Sequence, residues 1–328
     1  MPNAQSLASN VTQALKDRYY IELFLRTAEN NLVHQQLGQL NLQVPKGENS
    51  AAIYWTRWTN LPLVTAGQGE GVPTTAVGLS AVNVTGTSAQ YDAAVSLSDL
   101  FVRQAFGDVV KAGMQRLAYN AGLSIDTVVR NAVVNSGTSQ LAGGATGSWT
   151  AVNATSTFSI TELRKAQRTL VKNSAFKVGA GLNAAAEDAA GKGYWVAVIS
   201  PDTAYDITGD ASTGAWIDSN RYAGSERIFD GEIGKLYGTR FLETQNAYVN
   251  GIAPAQAASP YIHTTLITGS DYFGVTNLQN LQTYIKDFGS AGTGDPTNKV
   301  MTLGWKTTFG ATVLNSAFAV SLANAVSS

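Results

Sequence analysis

A chain of 328 residues with 22 basic and 23 acidic side chains carries a net charge of −1, so no overall electrostatic pull draws it to nucleic acid. Only 14% of residues are charged, against about 25% in soluble proteins generally, and 32 glycines with many Ala, Ser, Thr and Asn take their place; surfaces covered by other copies lose charge in this way. Having no cysteine excludes disulfides, thiolate metal sites and thiol nucleophiles, and no apolar run approaches the ~20 residues that span a bilayer.

The opening residues MPNAQSLASN have neither a positive start nor an apolar core, which predicts a product made without a secretory signal. Over residues 8–37, Leu15, Tyr19, Leu23 and Leu25 follow a loose helical spacing and predict an amphipathic arm whose four bases and four acids cancel within the first fifty residues. The alternation in AAIYWTRW predicts a strand, and VGLSAVNVTGTSAQYDAAVSL predicts another. Between them LPLVTAGQGEGVPTTA is rich in turn residues, so the two strands are expected to form a protruding hairpin.

Residues 97–135 contain no proline and repeat Leu117, Ala121, Ile125, Val128 and Ala132 at helical steps, with Ser98 as cap and Asp99 in the first turn. One rod about 55 Å long is expected, bending or breaking near Gly122. Ser159 and Glu162 have capping-box spacing for a further helix, with Leu163, Ala166 and Leu170 inward and Arg164, Lys165, Arg168 and Lys172 on a solvated basic face. A loop over 177–193 leads to YWVAVI, a buried strand that ends where Ser200 caps and Pro201 opens a helix. GEIGKLYGTRFLET, YIHTTLITG and FGVTNLQ read as strands, and VMTLGWKTTFGATV as a long half-buried one. AFAVSLANA follows as a strand able to pair back on it.

Two motifs invite chemical readings. GSAGTGDPTNK has the glycines of a phosphate loop, but Asp295 and Pro296 follow Gly294 where a lysine and a hydroxyl are required. A carboxylate there repels phosphate and proline donates no N–H, so the segment reads as a flexible turn before a strand, the entry to a C-terminal hairpin. A hydrolase would have to use His34 or His263, and neither neighbours a G-x-S-x-G elbow. Glu187 with Asp188, or Asp210, Asp218 and Asp230, show no spacing suited to paired acid–base work or to a metal loop. No catalytic residue, cofactor or metal is expected.

Five stretches, NLVHQQLGQ, GEGVPTTAVGLSAVNVTGTSAQYDAAVSLSDL, WVAVISPDTAYDI, FDGEIGKLYGTRFLET and GSAGTGDPTNKVMTLGWKTTFGATVLN, resemble in order the major capsid proteins of the coliphage N-four type. These are tailed-phage coat proteins of the Hong Kong 97-like fold, an α+β class. The resemblance implies an N-terminal arm (1–50) and an extended β-hairpin loop (51–96). It also implies a peripheral domain with a spine helix and C-terminal strands (97–158 and 297–328), and an axial domain (159–296). It implies self-assembly into hexamers and pentamers of an icosahedral head enclosing double-stranded DNA, in the virion, after assembly in the host bacterial cytoplasm. Portal, cement or decoration, and scaffolding proteins are the partners implied; no membrane is.

On that reading Trp55, Arg57, Trp58, Pro62, Glu70 and Pro73 are expected to touch neighbouring subunits. Arg103, Lys111 and Arg116 are expected to lie near packaged DNA through phosphate contacts alone. Some relatives weld their shells through an extended-loop lysine, and this chain has no lysine between Lys46 and Lys111. The alternatives are an encapsulin-like cellular shell protein of the same fold, or a hydrolase using His263.

Overall fold

The computed structural model describes residues 18–28, 32–40, 52–59, 61–105 apart from 66, 68, 72 and 75, 107–178, 193–209, 217–218, 231–250, 262–290 and 294–326. The predicted loop over 177–193, the acids Glu187, Asp188, Asp210 and Asp230, and Leu15 lie wholly or mostly outside the described residues, as does the side chain of Asp218.

The arm is helical over 18–28 (α1), but its buried stripe is Tyr20, Phe24 and Ala28, not the predicted Tyr19, Leu23 and Leu25. The stripe steps by four residues, and Tyr19 and Leu25 face solvent. β1 (Gln39–Leu40) follows, then β2 (Ala52–Trp58) and β3 (Ala81–Thr87), which pair antiparallel from Ala52↔Thr87 to Trp58↔Ala81. This is the predicted hairpin, except that the single second strand expected over 77–97 pairs with β2 only over 81–87.

β4 (Ala89–Ser98) leads into two helices in place of the single predicted rod: α2 (Asp99–Gln104) and α3 (Val109–Val133). Ser98 Oγ accepts the Phe101 N–H at 3.3 Å, as its capping role requires. The break falls at Gly107, whose φ of +100° suits glycine, and Asp108 restarts the helix by accepting the Lys111 N–H at 3.0 Å. Gly122 lies buried inside an unbroken α3, about 37 Å long. At its C-terminus the Tyr272 and Ser321 hydroxyls donate to the Val133 and Val134 carbonyls, satisfying groups a helix end leaves bare.

β5 (Thr138–Leu141) precedes α4 (Ile160–Lys172). The predicted capping box does not close. Ser159 makes no side-chain cap, and buried Glu162 instead accepts Gln140 Nε2 at 2.9 Å and Lys165 Nζ at 2.8 Å. A tertiary partner has taken the side chain that the local motif would use. Then come β6 (Trp195–Ile199), α5 (Pro201–Gly209), β7 (Ile217–Asp218), β8 (Glu232–Leu236), β9 (Thr239–Glu243), β10 (Tyr248–Asn250), β11 (Ile262–Thr268), β12 (Phe273–Lys286), β13 (Val300–Val313) and β14 (Ala319–Asn324).

Two large sheets result. The first orders β1-β12-β13-β4, with β12–β13 and β13–β4 antiparallel. The second orders β5-β14-β11-β6-β9-β8-β7, with β10 added on β11. The C-terminal prediction therefore changes partner: β13 pairs back on β12, and β14 crosses to the second sheet between β5 and β11. The glycine-rich stretch joins the two strands of the β12–β13 hairpin, and the Asp295 carboxylate accepts the Val300 N–H at 2.8 Å, work incompatible with holding phosphate.

Met114, Leu117, Ala118 and Ala121 of α3 pack with Phe24, Leu97, Leu303 and Trp305, while Ile125, Val129 and Val133 pack with Tyr272, Phe273 and Phe309. The helix thus braces the first sheet along its whole length. In the second sheet β6 is covered on both faces: Trp195, Ala197 and Ile199 meet α4 and α5, and Tyr194, Val196 and Val198 meet Val33 of the arm segment. Burial on both sides explains why YWVAVI is a continuous apolar run.

Candidate inter-subunit surface

The hairpin is anchored at its foot and bare beyond it. Ile53 and Trp55 are buried, and Trp55 lies against Gly86 and Gly274 so closely that a Cβ on either would come within 2.6 Å of its ring. Only glycine admits the indole. Its Nε1–H meets no acceptor among the described residues, so apolar packing holds the ring there.

Past Trp55 the character reverses. Trp58 is 60% exposed, Leu63 92% and Val64 85%, and Leu61, Val77 and Leu79 are likewise open. Each such side chain, once fully covered, contributes about 1.5–3 kcal/mol, and no described residue covers them. Beside the foot lies an open groove of about 860 Å³, walled by Tyr54, Thr56 and Trp58, by Leu40 of β1, and by Phe176 and Phe318. Those last two rings meet edge to face at 5.8 Å.

Of the residues expected to touch neighbours, Arg57, Trp58, Pro62, Glu70 and Pro73 are exposed on this projection. Trp55 is withdrawn into its own chain, because it shares a face with Ile53, and that face turns toward β12. Leu61, Leu63, Val64, Val77 and Leu79 extend the exposed surface beyond the residues expected to touch neighbours. The signal was there: uncharged apolar residues inside a turn-rich stretch have no core of their own.

Arg103 lies in the last turn of α2 and is exposed, Arg116 is exposed on α3, and Lys111 is half-buried between them beside Asp108. Arg164, Lys165, Arg168 and Lys172 all lie on the solvent side of α4, as their spacing predicts.

The structure also brings together a pair that the sequence kept apart: His263 Nδ1 lies 2.7 Å from Ser200 Oγ. Ser200 Oγ also accepts the Thr203 N–H at 3.2 Å and lies 2.9 Å from Thr203 Oγ1, so it serves as the cap of α5. Ser200 is 5% exposed and His263 6%, which shields the hydroxyl from any substrate. Asp202 is 3.7 Å from His263 Nε2 with its own side chain mostly in solvent. Burial lowers the His263 pKa, with Asp202 and Asp206 pulling the other way. Among the described residues no three His, Asp or Glu side chains are grouped to hold a metal ion.

No family model matches the chain, and no curated protein does. Solved structures do. The capsid of Ralstonia phage GP4 superposes with a TM-score of 0.67 at 14% identity, over 89% of this chain and 88% of that one. The capsid asymmetric unit of cyanophage Pam1 gives 0.63 at 16% identity over 89% of each chain. The head of Helicobacter pylori bacteriophage KHP40 gives 0.57 at 9% identity, over 89% and 88%. At these identities the likeness is one of fold, and it fixes the class. The chain has the Hong Kong 97-like α+β fold found in phage capsid subunits.

Proposed function

We propose that this chain is the major capsid protein of an icosahedral tailed-phage head, of the coliphage N-four type. The observation that carries the reading is the projecting hairpin whose apolar residues, from Trp58 to Leu79, have no cover among the described residues, on a fold shared with phage capsids. A surface of that kind is costly in a monomer and is satisfied when copies tile.

On this proposal the arm (1–50) and hairpin (51–96, whose residues 89–96 run on into β4 of the first sheet) reach across neighbours, α3 and the first sheet form the peripheral domain, and the second sheet with α4 and α5 forms the axial domain around five- and six-fold axes. The 296/297 division falls in the turn between β12 and β13, which share one sheet. In this reading β12 goes with the peripheral part and β14 with the axial part, each following its sheet. Hexamers and pentamers of the chain enclose double-stranded DNA, meeting it through weak phosphate contacts from Arg103, Lys111 and Arg116. The head also takes a portal and, where present, cement or scaffolding proteins, and is assembled in the host cytoplasm. Chemistry is not part of the role.

Expression of the full chain followed by cryo-electron microscopy tests this. Polyhedral particles are the expected result, and a protein that stays a compact monomer in the ultracentrifuge at high concentration would sink the proposal.

A further inference from the structure

Both edges of the first sheet lack a full partner, but only one is guarded. On the β12 side β1 covers Gly274 and Val275, two register shifts between Asn277 and Gln282 put bulges into the strand, and Lys286 ends it. Bulges, charge and a short covering strand are the devices that keep an edge from pairing. On the opposite side β4 runs straight, pairing with β13 from Ala89↔Phe309 to Ser98↔Val300 without a shift. No described strand meets its outer edge. Between Ala89 and Ser98 there is a single charge, Asp92, and no proline. An unguarded strand of about 34 Å presents a row of N–H and C=O groups that another strand can complete.

A second segment has the matching need. Residues 76–79, Ala-Val-Gly-Leu, lie in the hairpin outside any helix or strand, are exposed and uncharged, and make no hydrogen bond to a described residue. Val77 is 58% exposed and Leu79 60%. Their two-residue spacing puts both on one face as soon as the segment enters a ladder.

We propose that the open edge of β4 is completed by residues 76–79 of a second copy of this chain, which adds a fifth strand to the sheet. Val77 and Leu79 then lie beside Tyr91 and Ala93, the side of β4 that packs toward α3. Main-chain hydrogen bonds supply the contact, and the two apolar side chains set its face. Donor segment and acceptor edge are different parts of one chain, so the contact is heterologous and passes from copy to copy round a ring. The inference rests on the shell reading above.

Hydrogen exchange on particles and on unassembled full-length subunits tests it. Amides within 89–97 and 76–79 are expected to exchange at least about tenfold more slowly in particles than in free subunits. The Ala94→Lys, Ser96→Lys double variant changes two exposed positions of β4. It is expected to keep the subunit's melting temperature and to lower particle yield at least about tenfold. Leu79→Asp, in the exposed segment, is expected to abolish the protection of 89–97. Particles in which 89–97 exchange as fast as in free subunits would overturn the pairing and leave the shell reading standing. Leu79→Asp particles that keep 89–97 protected would overturn the choice of occupant. A wild-type chain that forms no particles would overturn both.

Discussion

Asp126, wholly buried in the middle of α3, holds the arm by His34 through both its oxygens: Oδ1 accepts the His34 backbone N–H at 2.7 Å and Oδ2 the ring Nδ1 at 2.8 Å. A carboxylate only accepts, which places the ring proton on Nδ1. Asn246 Nδ2 donates to the same Oδ2 at 2.9 Å, and Asn246 is itself fixed by Arg130 Nη1 at 2.8 Å and Thr127 Oγ1 at 3.2 Å. Three separate parts of the chain, the arm, the long helix and the turn after β9, therefore meet at one carboxylate. Burial lowers the Arg130 pKa, against the pull of Asp126.

Asp126→Ala leaves the buried His34 N–H and ring N–H, and the half-buried Asn246 amide, without this acceptor. At about 1–3 kcal/mol for each orphaned donor, the loss is expected to exceed about 2 kcal/mol. It should appear as a lower urea midpoint and as faster proteolysis confined to residues 18–40. An unchanged midpoint together with unchanged cleavage would contradict the bridging role.

Trp55 and Gly274 give a second prediction. A Cβ at 274 would fall 2.6 Å from Trp55 Cε2 and Nε1, so Gly274→Ala is expected to cost about 1–3 kcal/mol by overpacking. Trp55→Ala should cost about 3–5 kcal/mol. In the Trp55→Ala background the penalty at 274 should largely vanish, since the atoms it strikes are gone. Purely additive losses in this double-mutant cycle, measured by denaturant unfolding, would mean the contact is not what requires glycine.

Wherever a pattern was carried by neighbours in sequence, the sequence alone was readable. The β2–β3 hairpin, the Ser98 cap, the Ser200-Pro201 start of α5 and the β8–β9 hairpin all follow from local periodicity and turn residues. What failed was decided by distant partners. Glu162 has capping-box spacing but turns to Gln140, and β14 pairs with β11 rather than with β13 next to it in sequence. Asp126 reads as one more polar residue on an amphipathic helix until His34, 92 positions away, lies against it. The helix break went to Gly107 and not Gly122 because Asp108 caps a new start, while Gly122 is buried within α3. The projecting surface was half legible: its existence followed from the turn-rich stretch, whereas the inward turn of Trp55 depended on two glycines, one of them in β12.

His263 sets a pH dependence whose sign follows from burial. The folded state holds the ring neutral to a lower pH than the unfolded state, whose histidine takes up a proton near its ordinary value of about 6.5. Below that value the unfolded state binds more protons, so stability is full above about pH 6.5 and declines as the pH falls toward the depressed folded value. The slope in that window is at most about 1.4 kcal/mol per pH unit for one group. His263→Asn should flatten the difference between urea midpoints taken at about pH 7.5 and about pH 5.5. Equal slopes in wild type and variant would assign the dependence to other groups.

A covalent weld through the hairpin requires an amine on it, and residues 47–110 contain no lysine. Arginine does not substitute, since its guanidinium stays protonated and is no nucleophile at neutral pH. With no lysine on the hairpin and no cysteine in the chain, non-covalent area is expected to hold any shell this chain builds. Exposed Leu63, Val64, Trp58 and Leu79 supply apolar surface for it, at about 25 cal/mol for each Å² covered. Particles boiled in SDS should accordingly run as one band near 34.5 kDa. They should also dissociate in urea at concentrations where a cross-linked shell would persist. A ladder of multimers surviving the boil would show that another amine, outside the hairpin, forms the bond.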